Sequence, residues 1–427
     1  MKLLITGATG YIGERLARLA FREGHTVYSA SRKQTDTHYY WLPFDLKKPT
    51  LDIPDETRAL VHLAADTTHN KNISSETEVQ AARELIRNSA LTNTKLIFIS
   101  SQTASPDAPT SYGQTKWRIE QDVIATGGVV IRPGQVYGGY ERGLFGVLSS
   151  LVRRFPLIPA LIPTPLIQPI HVDDLAVAIL TVAAREDIRG EIFCLGSVRP
   201  ISFSAFLESI ATNRLNVLRI AAPLPVPLIT LARAMLGKRR TAQLGLDRLL
   251  SLLTLKSMST QTSLQRLGIT LRPLAYGMHR SGNGRRRHLL VEGNILLSYL
   301  LKSPPGQSLL RRYARAIEAL GNGQAILDSK LLSLFPSLLA LIDNPSFLCN
   351  EQGKALSWRL HLAMTLAEAS PQGAVVFLGL KRSGGFLRTF IALGMSVLKE
   401  VCWRTLALLT KPLLSNMLIK RKSPRDA

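Results

Sequence analysis

The sequence predicts an α/β protein: a doubly wound parallel sheet followed by a mostly helical extension. Three observations carry this. Over the first 135 residues, short apolar runs alternate with helical patterns, the signature of strand–helix–strand units. The opening run Lys2–Thr6 enters a glycine-rich turn and then an amphipathic helix. Beyond residue 287 the strand signals give way to helical periodicity.

Taken in order, strands are expected over residues 2–6, 26–30, 59–63, 95–100 and 129–132, with helices over 11–23, 76–88 and 112–125. Gly24 follows the first helix, where a left-handed terminating residue is expected. Right-handed crossovers then bring the strand ends to one edge, where open α/β sheets bind ligands. From Gly138 to Arg199 the pattern loosens, and Pro156, Pro159, Pro163, Pro165 and Pro169 prevent a continuous helix. The spacing predicts a substrate lid there. Residues 221–235 are apolar but interrupted by Pro223, Pro225, Pro227 and Arg233, too broken for a membrane span.

The arginine- and glycine-rich stretch 280–287 predicts a solvated linker. The expected division is therefore 1–279, a basic linker over 280–287, and a helical basic region over 288–427. Helices are expected there over 289–301, 309–319 and 357–369. Apolar stretches at 373–380 and 386–398 are separated by Lys381 and Arg382, and neither reaches the ~18 apolar residues that a spanning helix requires.

Hydrophobic residues make up 46% of the 427 and charged ones 19%, which suits a large buried core and disfavours disorder. Cys194, Cys349 and Cys402 are too scattered for a disulfide framework or a zinc site. No metal is expected, and a reducing cytoplasm fits best. The N-terminus lacks the pattern of a secretory signal, so a cytoplasmic location is expected. The formal charge of +23 attracts polyanions. Without zinc-finger spacing, an RNP motif or a basic zipper, nucleic acid is disfavoured. Peripheral contact with a membrane through the basic C-terminal region, and oligomerisation, stay open.

Thr6-Gly7-Ala8-Thr9-Gly10-Tyr11-Ile12-Gly13 is the most informative segment. Gly7 permits a tight turn, Gly10 lets backbone approach a diphosphate, and Gly13 allows close packing of helix on strand. The amides of that helix start, with its dipole, then face the phosphates, so Gly7, Thr9, Gly10, Tyr11, Ile12 and Gly13 are candidate cofactor contacts. The second strand ends at Ser31-Arg32-Lys33. An acidic residue there would hold a ribose 2′-hydroxyl. Arg32 and Lys33 instead suit a 2′-phosphate, which predicts NADP in preference to NAD.

Tyr112 and Lys116 stand four apart and share a face if their segment is helical. An ammonium beside a phenol is expected to lower its pKa from about 10, giving a general acid/base for an alcohol or carbonyl. Ser100 and Ser101 end the strand just before, offering hydroxyls to the substrate oxygen.

In combination these features resemble an extended or atypical short-chain dehydrogenase/reductase of the NAD-dependent epimerase/dehydratase family, with a Rossmann fold. The likeness rests on the glycine turn, Asp45-Leu46, Val61-His62-Leu63-Ala64-Ala65, Ser100-Ser101, Tyr112 with Lys116, the run from Arg132 to Gly138, and His171-Val172-Asp173-Asp174. It spans residues 1–200. The resemblance implies that Asp45 and Leu46 contact adenine and that Leu63, Ala64 and Ala65 line the cofactor cleft. It implies that Lys116 holds the nicotinamide ribose, with Pro133 and Val136 near the carboxamide. Tyr112 would be the acid/base and Ser101 the hydroxyl that positions oxygen, with Thr103 as its alternative. In the His-Val-Asp-Asp run, an aspartate is expected to cap a helix beginning near Leu175.

Gln102-Thr103-Ala104-Ser105 departs from the sugar-nucleotide members, and the stretch from there to Tyr112 is short. The segment from Leu264 to Leu274 resembles atypical relatives, among them the nucleotide-binding accessory subunit of respiratory complex I. The expected function is an NAD(P)-dependent oxidoreductase or epimerase/dehydratase acting on a secondary alcohol or carbonyl of a small, nucleotide-sugar-like substrate. The alternative is a non-catalytic NADP-binding scaffold associated with a membrane or larger complex.

Overall fold

The computed structural model describes residues 1–34, 38–65, 74–227, 255–320, 324–327, 330–377, 391, 394–395 and 397–406. The chain divides into two compact units, Met1–Asn283 and Gly284–Ala427.

The first unit is built on a seven-stranded sheet. Its strands are β1 (Lys2–Thr6), β2 (Thr26–Ser31), β3 (Tyr40–Pro43), β4 (Thr57–His62), β5 (Lys95–Ile99), β6 (Val129–Pro133) and β11 (Ile192–Leu195). All pair in parallel, in the order β11-β6-β5-β4-β1-β2-β3. Parallel strands covered on both faces read as unbroken apolar runs, and Leu3, Leu4 and Ile5 of β1 are all fully buried. One face packs on helices α1 (Tyr11–Arg22) and α5 (Val172–Ala184) through Leu16, Ala17, Ala20, Leu175 and Ile179. The other packs on α2 (Ser75–Leu91) and α3 (Ser111–Ala125) through Val79, Leu85, Ile119 and Val123. From β1 the chain winds outward to β3, then returns to place β4 on the other side of β1. That reversal opens the crevice in which such folds hold ligands.

The expected strands and helices of the first 135 residues are present, while β3 and β11 carried no clear signal. Edge strand β3 exposes Tyr40 and Trp41, and β11 is only four residues long. The expected lid over 138–199 needs correction. Its second half is core, because α5 packs against α1 and β11 extends the sheet beside β6. What remains is a smaller layer: β7 (Val136–Tyr137), α4 (Gly143–Arg154), β8 (Leu157–Ile162), β9 (Leu166–Ile167), β10 (Ile170–His171), β12 (Ile201–Ser202), α6 (Phe203–Ser209), a π-helical turn over Ile210–Leu215 and β13 (Ile220–Pro225). Tyr137, Phe145, Leu148, Phe203 and Phe206 form its core. Residues 228–235 of the apolar stretch expected at 221–235 lie outside the described residues.

The second unit is helical, with Arg285–Leu301, Gln307–Ala319 and Glu351–Glu368 around a core including Leu296, Tyr313, Leu356 and Ala363. Arg285, Arg286 and Arg287, expected in a linker, instead form the first helical turn, since the helix starts directly after Gly284. Most of the stretch 386–398 lies outside the described residues. Among the described residues no helix is long and apolar enough to cross a membrane.

Candidate active site

The turn after β1 is held by backbone alone. Gly7 has φ +70, and a Cβ there would lie 2.8 Å from the Ala64 nitrogen. At Gly13 a Cβ would meet the Gly7 carbonyl oxygen at 2.3 Å. The two glycines thus let β1, the start of α1 and the end of β4 close on one another. Gly10 is the N-cap of α1 and supplies no capping side chain. By contrast α2, α3 and α6 are capped by Ser74, Thr110 and Ser202. The first-turn amides of α1 have no intrahelical acceptor and gather at its positive dipole end, a donor set that suits the diphosphate of a dinucleotide.

The other candidate cofactor residues lie along the same edge. Thr9 is exposed on the turn, and Ile12 packs partly against the sheet. Leu63, Ala64 and Ala65 follow β4 and are half-buried, while Pro133 ends β6 and Val136 begins β7. Arg32 and Lys33 are exposed just past β2. Asp45 is half-buried and accepts from the Lys47 amide at 3.0 Å. Leu46 packs into the core near α2. Tyr11 reaches across the edge, donating to the Gly138 carbonyl at 2.6 Å.

Beneath the turn, Thr6 Oγ1 lies 2.8 Å from His62 Nδ1, and the His62 ring stacks on Phe98. The Lys116 ammonium sits 4.6 Å from the Phe98 ring centroid and donates to the Ile99 carbonyl at 3.2 Å. Burial pulls the Lys116 pKa down to about 8, opposed by the charges of Glu78 and Glu120. Tyr112 keeps 37% of its surface exposed, and the Lys116 ammonium lies 5.8 Å from its ring centroid.

The expectation that Lys116 depresses the Tyr112 pKa is corrected here. Desolvation pushes that pKa up to about 12, the Glu78 carboxylate adds to the rise, and a hydrogen bond with Ser101 works against it. Ser101 Oγ and Thr103 Oγ1 are 2.9 Å apart, and of the two it is Ser101 that opposes the rise at the phenol. Gly113 lets the loop from Thr103 to Ala108 lie on the first turn of α3, since a Cβ there would meet the Thr103 carbonyl at 2.5 Å.

Glu78 is the residue that sequence reasoning missed. It is buried on the apolar face of α2, in line with Ala82 and Leu85, and a carboxylate on such a stripe was the available signal. Ion pairs Glu76–Arg118 (3.1 Å) and Arg83–Asp122 (2.8 Å) fix α2 against α3. Glu120 is buried too, in a bidentate pair with Arg132.

The helix cap after β10 also differs from expectation. α5 begins at Val172, and the His171 ring caps it, with Nδ1 accepting from the Asp173 amide at 3.1 Å. The aspartates are taken by arginines. Asp173 pairs with Arg15, and Asp174 accepts from the Arg272 guanidinium at 2.7 Å.

The sequence model of the NAD dependent epimerase/dehydratase family matches residues 3–196. Over those residues the chain is similar to that family. A stretch of 188 residues is 28% identical to a ceramide reductase of Caulobacter vibrioides, covering 40% of this chain and 57% of that protein. A mitochondrial protein of Dictyostelium discoideum, NADH dehydrogenase [ubiquinone] 1 alpha subcomplex subunit 9, is 23% identical over 240 residues, covering 51% of this chain and 65% of that one. The chain thus spans less than two thirds of either relative. The crystal structure of gox2253 superposes with a TM-score of 0.51 at 22% identity, covering 66% of this chain and 96% of that one, a likeness of fold.

Proposed function

We propose that the first unit is an NAD(P)-dependent oxidoreductase or epimerase/dehydratase acting on a secondary alcohol or carbonyl. The observation that carries this reading is the convergence of Ser101, Tyr112 and Lys116 at the strand edge that also bears the uncapped start of α1. A nicotinamide dinucleotide, when bound, accepts or supplies hydride. Tyr112 then exchanges a proton with the substrate oxygen, which Ser101 holds by hydrogen bonding. Lys116 supplies positive charge near the phenolate that proton loss would leave. Arg32 and Lys33, exposed at the end of β2, support NADP as the preferred form.

The test is a titration of the purified chain with NADPH and NADH, followed by turnover on a panel of nucleotide sugars, ketones and an oxidised ceramide. The ceramide arm follows from the Caulobacter relative's name. Binding is expected, with turnover that Tyr112→Phe lowers by about 10²–10⁴-fold while NADPH affinity holds. No association at millimolar cofactor would overturn the reading.

A second reading is favoured by one contact: the Lys116 ammonium donates to the Ile99 carbonyl at 3.2 Å, beside a Tyr112 phenol whose pKa burial raises. A resting phenol of that kind suits a unit that binds NADP as a scaffold, associated with a membrane or a larger complex. The Dictyostelium relative is named as a subunit of such a complex. Tight NADPH binding without turnover across the panel, in protein recovered with membranes or in a large assembly, would select it.

A further inference from the structure

The smaller layer of the first unit carries an apolar surface that neither reading uses. Residues 153–157 read Arg-Arg-Phe-Pro-Leu, and all five are exposed. Phe155 is 50% exposed and Leu157 54%, although large apolar side chains usually turn inward. Beside them lie Leu218 at 73% and Ile220 at 65%. These residues are contiguous. Leu157 pairs with Ile220 across the parallel strands β8 and β13, and the Ile220 amide donates to the Pro156 carbonyl at 3.2 Å. Arg219, between Leu218 and Ile220, donates to the carbonyls of Val152 and Arg153 at the end of α4, at 2.8 and 3.0 Å.

The rim of this patch is cationic. The Arg154 guanidinium lies 5.6 Å from the Phe155 ring centroid. Among the described residues no carboxylate pairs with Arg154 or Arg219, while Arg153 is held by Glu141. Four neighbouring apolar side chains with an aromatic ring among arginines form the pattern that seats at a headgroup boundary: apolar groups enter the acyl region and guanidinium groups meet phosphate. Scattered apolar residues would need no such account, whereas a contiguous group does. The formal charge of +23 adds long-range attraction to an anionic surface.

We propose that Phe155, Leu157, Leu218 and Ile220, with Arg154 and Arg219, dock the first unit on an anionic lipid bilayer. The patch stands at the far end of α4, whose twelve residues begin in the loop after β7. Lipid contact therefore lies about 18 Å along that helix from the ligand-binding edge. The proposal does not rest on the redox reading.

The experiment is flotation of the full chain with vesicles of phosphatidylcholine alone and with phosphatidylglycerol added. Binding is expected only with the anionic lipid and should weaken as salt rises. Arg154→Glu, a change at an exposed residue, should lower vesicle affinity about tenfold or more. Phe155→Trp locates the contact: brominated lipid should quench the emission that the new indole adds over wild type. Absence of vesicle binding overturns the proposal. So does binding with the added indole unquenched, which would place the contact elsewhere in the chain. A change of oligomeric state in Arg154→Glu without vesicle binding overturns it in favour of a second copy. Circular dichroism of the same preparations checks that each variant is folded, and NADPH titration is run beside it. A chain that docks on vesicles yet ignores NADPH would sink the redox reading alone.

Discussion

Thr6 Oγ1 and His62 Nδ1 lie 2.8 Å apart directly beneath the glycine turn, joining two strands whose residues are 56 positions apart. The Leu63 and Ala64 amides approach the same hydroxyl oxygen at 3.3 and 3.4 Å. With that oxygen accepting from the amides, its proton goes to His62 Nδ1, which must then be unprotonated. The pair therefore braces the end of β4 against the turn only while His62 is neutral.

Acid should undo this brace. Burial lowers the His62 pKa to about 3, helped by the Lys116 charge. His171 is lowered to about 3 as well, by burial and then by Arg272. Below pH 6.5 the unfolded chain takes up protons that the folded chain refuses. Stability is thus fully present above 6.5 and lost as pH falls toward 3. Each histidine contributes a slope of about 1.4 kcal/mol per pH unit through that window. Urea unfolding at pH 7, 5.5 and 4 should show it, and His62→Gln should flatten the dependence. An unchanged slope in the variant would refute the assignment.

Lys116 should act in the alkaline range. Its pKa is about 8 in the fold against an ordinary 10.5. Between those values the unfolded chain holds a proton that the folded chain has released, so stability rises with pH across the window and falls back as pH drops through 8. The full span is roughly 3 kcal/mol. The difference between wild type and Lys116→Met, measured by urea unfolding from pH 7.5 to 10.5, should move in favour of wild type by that order. A flat difference would mean that Glu78 and Glu120 hold the ammonium charged throughout.

Much of this site was legible because its signals are local. Gly7, Gly10 and Gly13 stand in one turn, and Tyr112 and Lys116 stand one helical turn apart. What escaped depends on contacts between distant segments. The bond from Thr6 to His62 and the approach of Glu78 to Tyr112 arise only once β4 lies beside β1 and α2 beside α3. For the same reason the sequence could not set the sign of the Tyr112 shift: desolvation and a carboxylate from another helix decide it, not the lysine four residues away. The cap by His171 was missed because the acidic neighbours are the commoner caps, yet Arg15 and Arg272 occupy them.

Cofactor choice should turn on Arg32. Its guanidinium is exposed at the end of β2, where a 2′-phosphate would be met by two donors in a fork. Arg32→Glu should lower NADPH affinity by about 10–100-fold, the loss of a charge-assisted pair with repulsion added. NADH affinity should hold or improve, since a carboxylate there can accept from the 2′-hydroxyl. Fluorescence titration of both cofactors decides it. An equal loss for the two would assign Arg32 a structural role.

In the second unit the buried Glu292 carboxylate organises three segments. Its Oε1 accepts from the Tyr313 hydroxyl at 2.8 Å and from Arg359 at 2.6 Å, and its Oε2 accepts from the Ile326 and Leu327 amides at 2.5 and 3.0 Å. Arg359 also donates to the Gln324 carbonyl at 2.8 Å. Every lone pair of a fully buried charge is thus engaged, and the stretch around residue 326 is tied to three helices through one side chain. Arg359→Met would leave the carboxylate charged without a cation and should cost about 3–5 kcal/mol. Tyr313→Phe removes one of four donors and should cost about 1–2 kcal/mol. Pairing Arg359→Met with Glu292→Gln removes both charges and should recover part of the larger loss. Thermal unfolding of the three variants should therefore rank Arg359→Met lowest, the double variant above it and Tyr313→Phe highest. A double variant no more stable than Arg359→Met would show that the arginine acts by packing, with its charge immaterial.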